Sequence, residues 1–254
     1  MKDILKIVAV LFIMVSVSCS NDDQETPPEA KQLPVKRVTL NYYEPDGNIS
    51  TTQIIDFSYE QDYIKTMAFT QNGKIRTKTF TYDVEGRITK LVKEEEGSII
   101  ATTTINYTAN NFTVIDNGPN GTSESEFIYN ESIKGYDIFK NNSKTALVSY
   151  DALENIVEVN NTPYLVITKT VNTKLKSLYY KQHKLFSLFN IYASEDFFTG
   201  VIFGNNTIDK VTYVTNNTTL ELIAANETSE EGITKLSLTN KASNKLYLEA
   251  KISY

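Results

Sequence analysis

Between residues 57 and 150 one short pattern keeps returning: an apolar residue, any residue, then tyrosine. Its instances are Phe57-Ser58-Tyr59, Phe80-Thr81-Tyr82, Ile105-Asn106-Tyr107, Phe127-Ile128-Tyr129 and Val148-Ser149-Tyr150. The tyrosines stand 23, 25, 22 and 21 residues apart. A fixed period in this range marks stacked supersecondary units, none of which can bury its apolar face alone. Each period of about 23 residues holds two strands and two turns. Asn72-Gly73 suits the positive φ angles of a type I′ hairpin, and Glu85-Gly86 and Gly118-Pro119 fill the corresponding slots. The expected fold is therefore all-β, an antiparallel meander of repeated hairpins. Tyr59, Tyr82, Tyr107, Tyr129 and Tyr150 should take equivalent places and line one face as a packing ladder.

Composition agrees with strands. Sixteen Tyr and twelve Phe, with no Trp, suit pleated half-buried surfaces, and 41% hydrophobic against 22% charged residues is globular usage. Residues 34–254 are read as one β-rich domain, with the hairpin repeats over 34–170 and a carboxy-terminal β part over 171–254. In that part, strand alternation returns at Lys210–Val214, Thr219–Leu222, Thr234–Leu238 and Tyr247–Tyr254, so the last residues should pair inside the sheet. Leucines and aromatics at three- and four-residue spacing place a short helix within 174–193.

The best-formed unit, Phe80-Thr81-Tyr82-Asp83-Val84-Glu85-Gly86-Arg87-Ile88-Thr89-Lys90-Leu91, resembles the YD repeat of Rhs-type bacterial surface proteins. Tyr150-Asp151 keeps the aspartate, whereas Tyr59, Tyr107 and Tyr129 are followed by Glu60, Thr108 and Asn130. The resemblance implies a hairpin-based sheet that wraps, and it implies no catalytic residues. The carboxy-terminal half is similar to that of flavobacterial YD-repeat-like lipoproteins. The sequence leaves open whether the sheet closes into a barrel.

The amino terminus reads as an address. Lys2 and Lys6 precede an uncharged run over 7–18 that ends in small residues, the pattern of a secretory signal peptide spanning 1–18. At twelve residues the run is shorter than the roughly 20 needed to cross a bilayer. Cys19 is the only cysteine, so it has no intramolecular disulfide partner. Ser16-Val17-Ser18-Cys19 resembles the lipobox of bacterial lipoproteins, although Ser16 stands where Leu or Val is usual. That resemblance implies that Cys19 is lipidated and anchors the chain to a membrane. The alternative is ordinary cleavage nearby with Cys19 a bystander. Asp22 and Asp23 lie in an acidic cluster similar to the export signal of Bacteroidetes lipoproteins, which implies display on the outer face of the outer membrane. The alternative is a solvated acidic tether, continued by Pro27 and Pro28 within a 19–33 linker.

Chemistry is narrowly bounded. A formal charge of −6 with no basic stretch argues against nucleic acid. His183 is the single histidine and sits in a basic polar stretch, where a surface position is expected. One histidine and one cysteine cannot build a His/Cys metal centre, so no metal or cofactor is expected. Glu94-Glu95-Glu96-Gly97 reads as a solvated hairpin tip, since three adjacent carboxylates cannot all face one ion. The many N-x-[ST] triplets read as chance products of an Asn- and Thr-rich chain. What survives is a tethered, non-catalytic binding module for a protein or glycan, working through its sheet, loops and strand edges. A structural envelope or adhesion component is the alternative. A glycosidase using a carboxylate pair comes third.

Overall fold

A computed structural model describes residues 33–161, 165–179, 182–192, 200, 203–215 and 218–254. Sixteen strands run among them: β1 (Arg37–Tyr43), β2 (Ile49–Glu60), β3 (Tyr63–Gln71), β4 (Lys74–Tyr82), β5 (Ile88–Glu95), β6 (Ser98–Thr108), β7 (Asn111–Gly118) and β8 (Gly121–Asn130); then β9 (Gly135–Lys140), β10 (Ser143–Tyr150), β11 (Ile156–Asn161), β12 (Leu165–Lys176), β13 (Asn206–Val214), β14 (Thr219–Ser229), β15 (Gly232–Asn240) and β16 (Lys245–Ser253). Each pairs antiparallel with its sequence neighbours. The expected meander is closed: β1 pairs with β16, Val38 opposite Ile252 and Leu40 opposite Ala250. Closure corrects the expectation of usable strand edges, because a barrel has none.

The two faces of the wall differ sharply. Inward positions such as Leu40, Ile55, Met67, Phe80, Phe127, Val211, Leu222 and Leu248 are 1% exposed or less. One apolar cluster draws residues from all sixteen strands. Barrels of this strand number can enclose an aqueous channel; this interior is instead packed with side chains. Outward positions carry Thr39, Asp56, Thr79, Lys90, Glu124, Lys210, Glu221, Lys235 and Glu249 in the alternate register. Cross-strand ion pairs join some of them, Arg37 to Asp56 at 2.6 Å and Lys241 to Glu221 at 2.8 Å, and such exposed pairs add little stability.

At one rim the described residues between β12 and β13 turn inward as a plug. Its helix α1 (Leu185–Tyr192) buries Leu185, Phe186, Leu188 and Phe189. Phe186 packs on Phe80 of β4 with ring centroids 5.1 Å apart, and Phe189 on Phe112 of β7 at 5.5 Å. Gln182 latches the plug to the β2–β3 turn: its Nε2 donates to the Asp62 carbonyl (3.1 Å), and its Oε1 accepts from the Ile64 N–H (3.2 Å). The helix falls within the expected 174–193, and residues 174–176 belong to the end of β12. His183 is half-buried, not a plain surface residue. Its Nδ1 accepts the Leu185 N–H at 3.3 Å, satisfying one of the unpaired amides at the helix start, and burial pulls its pKa down.

The repeat tyrosines stand at this same rim, each within one residue of the end of an even-numbered strand. Tyr59 donates to the Val35 carbonyl (2.8 Å), Tyr82 to Ile64 (2.6 Å) and Tyr107 to Ile88 (2.8 Å). Tyr254, outside the expected set, makes the same bond to Ile233 at 3.0 Å. Register shifts at Ser58/Tyr59, Thr81/Tyr82 and Ser149/Tyr150 place bulges at three tyrosines, and a bulge re-aims the side chain it carries. Tyr129 and Tyr150 pack instead against Tyr136, with centroids 5.7 and 6.3 Å apart.

The aspartate after Tyr82 has a definite task. Asp83 Oδ1 accepts the N–H groups of Glu85 (3.0 Å) and Arg87 (2.9 Å), while Oδ2 takes the Arg87 guanidinium at 2.7 Å. Asp151 holds the β10–β11 turn alike, accepting from Leu153 and Asn155 at 2.9 Å each. Gly86 adopts φ +75° in the first turn, and Glu154 takes φ +61° at the matching place in the second. Burial opposes ionisation of Asp83, yet these donors hold its pKa below the usual carboxylate range. Its contribution is therefore full above the unfolded-state pKa and is lost as pH falls through the lower folded value. We expect Asp83→Ala to cost about 2 kcal/mol in urea unfolding at pH 7, Asp83→Asn under half of that, and the Ala deficit to shrink at acidic pH. A deficit unchanged by acid would show that the carboxylate's charge is not what holds the turn.

Candidate functional site

The rim opposite the plug is built from the β1–β2, β3–β4 and β5–β6 turns and opens into a cavity of about 370 Å³. Its position follows from alternation. In Lys74-Ile75-Arg76-Thr77-Lys78-Thr79-Phe80, the three basic residues share the inward register of Phe80, so β4 sends cations into the barrel above the apolar core. Lys93 of β5 lies directly opposite Lys78, and Phe69 of β3 opposite Arg76. Gln53 of β2 faces Gln71 of β3.

Each polar group in this wall has a particular situation. Lys78 is 7% exposed, and its Nζ stands 4.7 Å from the Phe69 ring centroid, a cation–π arrangement. Arg76 meets Glu95 at 3.2 Å and Lys74 meets the same carboxylate at 3.8 Å, so Glu95 is held by two cations. Burial lowers the Lys93 pKa, and Asp116 partly opposes the shift. Asp116 itself accepts a hydrogen bond from the Thr103 hydroxyl. Glu94, opposite Thr77, is the acidic residue among those that line the cavity. Gln53 is 9% exposed, and its Oε1 has no hydrogen-bond donor. A buried amide oxygen left unpaired is costly, and native structures place few of them without cause.

A second cavity of about 680 Å³ adjoins the first and shares Gln71 with it. It lies between β1, β2 and β16 and is lined by Tyr42, Tyr43 and Tyr247 together with Lys245. Aromatic faces and amide or hydroxyl groups thus continue across the mouth from the cationic wall.

The residues singled out from sequence lie elsewhere. Cys19, Asp22 and Asp23 fall outside the described residues. The five repeat tyrosines belong to the plug rim. Glu94 and Glu95 close β5, leaving Glu96-Gly97 as the turn with φ +49° and +81°, so the expected solvated triplet is split between strand and tip. The mouth residues carry a readable signal in the sequence: charged side chains repeat every second residue in phase with the buried aromatic Phe80.

No family model matches the chain, and no curated protein matches it. Among solved structures it is similar to a porin-like protein from Bacteroides uniformis, 12% identical over 87% of this chain and 98% of that one, with a TM-score of 0.49. A porin-like protein from Bacteroides vulgatus gives 12%, the same coverage and 0.45. An exported protein with a YmcC-like fold from Bacteroides fragilis gives 9% over 87% of this chain and 95% of that one, with 0.23. Likeness at this level carries nothing about what the chain binds.

Proposed function

We propose that this chain is an exported lipoprotein, attached to the outer membrane through Cys19, whose barrel stands in water and binds a ligand at its open mouth without catalysis. The observation that carries the reading is the polarity of the wall. A membrane-spanning barrel presents an apolar band about 25 Å tall to lipid, whereas the outward register here carries Asp56, Lys90, Glu124, Lys210, Glu221 and Lys235. A barrel so dressed needs a separate anchor, and the amino-terminal segment offers one. The shared turn geometry at Tyr82-Asp83 and Tyr150-Asp151 supports kinship with YD repeats. The closed seam speaks against assembly through strand edges and so favours binding over a spacer role.

The anchor is tested by fractionation. Cys19→Ala should abolish metabolic labelling with palmitate and remove most of the protein from the outer-membrane fraction. Asp22→Ala with Asp23→Ala should keep membrane attachment while reducing cleavage by protease added to intact cells several-fold. A Cys19→Ala protein still in the outer membrane at wild-type levels would overturn the anchor, and unchanged protease access in the double variant would overturn the role of the two aspartates.

A further inference from the structure

We infer that the mouth takes a hydroxylated organic anion of sugar-acid size, its anionic group seated at Lys78 and Lys93 and a hydroxyl donating to Gln53 Oε1. The inference rests on the reading of the barrel as a binding module and gives that module a ligand class.

Three features of the same wall converge on it. The first is charge: Lys78 and Lys93 are register partners on adjacent strands, both turned inward, and both line the cavity with Lys74 and Arg76, while the Asp116 carboxylate acts on Lys93. A cavity wall carrying several cations attracts an anionic group, and more strongly in a partly enclosed space than in bulk water. Lys74, Arg76, Lys78 and Lys93 stand against the carboxylates of Glu94, Glu95 and Asp116, which leaves this wall an excess of one positive charge.

The second feature is the orphaned acceptor. Gln53 Oε1 is buried, inward-facing and without a donor, so a complementary ligand brings an O–H or N–H to it. Simple anions such as chloride or a plain fatty carboxylate lack that donor near the charge. A sugar acid carries hydroxyls next to its carboxylate. Gln71, across the strand pair, adds a second amide at the junction of the two cavities.

The third is size and lining. A cavity of about 370 Å³ lies within the usual range for small-molecule pockets, and Phe69 and Ile100 supply the apolar part of its wall. The adjoining mouth, with Tyr42, Tyr43 and Tyr247, leaves room for further sugar units.

The test is isothermal titration of the full-length chain in detergent with three probes: D-glucuronate, D-glucose and hexanoate. Glucuronate should bind at least about tenfold tighter than either of the others, and its affinity should fall as salt rises. Lys78→Met and Lys93→Met should each weaken it about tenfold, Gln53→Leu should narrow the gap between glucuronate and hexanoate, and Lys241→Met on the outer face should leave binding unchanged. Far-UV circular dichroism checks that each variant keeps its strands; if Lys78→Met does not, Lys93→Met carries the test. Equal binding of glucose or hexanoate, no binding of glucuronate, or wild-type affinity in a folded lysine variant overturns the inference. Capture of neutral glycans by a chain that ignores glucuronate overturns it too, while the binding-module reading stands.

Discussion

Gly135→Ala is expected to destabilise the barrel by more than about 3 kcal/mol, enough to lower its thermal midpoint by roughly 6–12 °C. Gly135 is buried at the start of β9, directly opposite Ser149 of β10. A Cβ there would collide with the Val148 carbonyl oxygen and crowd Ser149 Cα, which is backbone of the next strand. A flexible side chain can swing aside, but a paired strand cannot. The site is also constrained on both flanks: Lys134 already adopts φ +47°, and the Tyr150 N–H reaches back to the Lys134 carbonyl at 3.3 Å. Relief therefore requires β9 and β10 to part at their rim ends, where both strands are also paired on their other sides within a closed sheet. Gly73→Ala is the matched control. Its φ of +76° makes alanine unfavourable, but no atom stands within 4 Å of the added methyl, so the cost should stay near 1 kcal/mol. Thermal unfolding by far-UV circular dichroism checks both. A Gly135→Ala midpoint no lower than that of Gly73→Ala would mean that the β9–β10 pairing yields more easily than its geometry implies.

Much of the wall was legible because strand signals are local. Asn72-Gly73 became the β3–β4 turn with φ +50° and +76°, and Glu85-Gly86 fell in the β4–β5 turn. The carboxy-terminal strands also fell where alternation put them. Closure was not legible, since Val38 and Ile252 meet across the whole length of the chain and nothing local couples them. Nor could sequence show that Glu154 would occupy the left-handed position that Gly86 occupies elsewhere, because the side-chain hydrogen bonds of Asp151 stabilise that turn without glycine. At the mouth, the Lys-x-Arg-x-Lys alternation was present, but assigning it inward required knowing which face of β4 holds Phe80. Gln53 gave no signal at all; its unpaired oxygen exists only once β2 and β3 are in register.

The largest loss from a single side chain should follow Phe112→Ala, at about 4 kcal/mol within the range for buried aromatic truncations. Phe112 is 2% exposed and joins the wall to the plug. Its ring stacks on Phe127 of β8 at 4.4 Å and meets Tyr136 of β9 edge-on at 5.0 Å, Tyr107 of β6 at 5.7 Å and Phe189 of α1 at 5.5 Å. Aromatic pairs of this kind add about 0.5–1.5 kcal/mol each beyond burial, though such values are not additive within one cluster. Phe112→Leu keeps most of the volume and should cost about half as much. The informative partner is Phe189→Ala. If the plug is an integral part of the core, Phe189→Ala also lowers the global midpoint, and the double variant shows a coupling above about 0.5 kcal/mol with Phe112→Ala. A plug that docks as a separable lid would instead leave the global urea transition of Phe189→Ala unchanged, with hydrogen exchange raised in α1 alone. The packing favours the first outcome: Phe80, Phe112 and the Gln182 latch hold the plug through three different parts of the wall, so releasing it exposes apolar surface on β4 and β7 together.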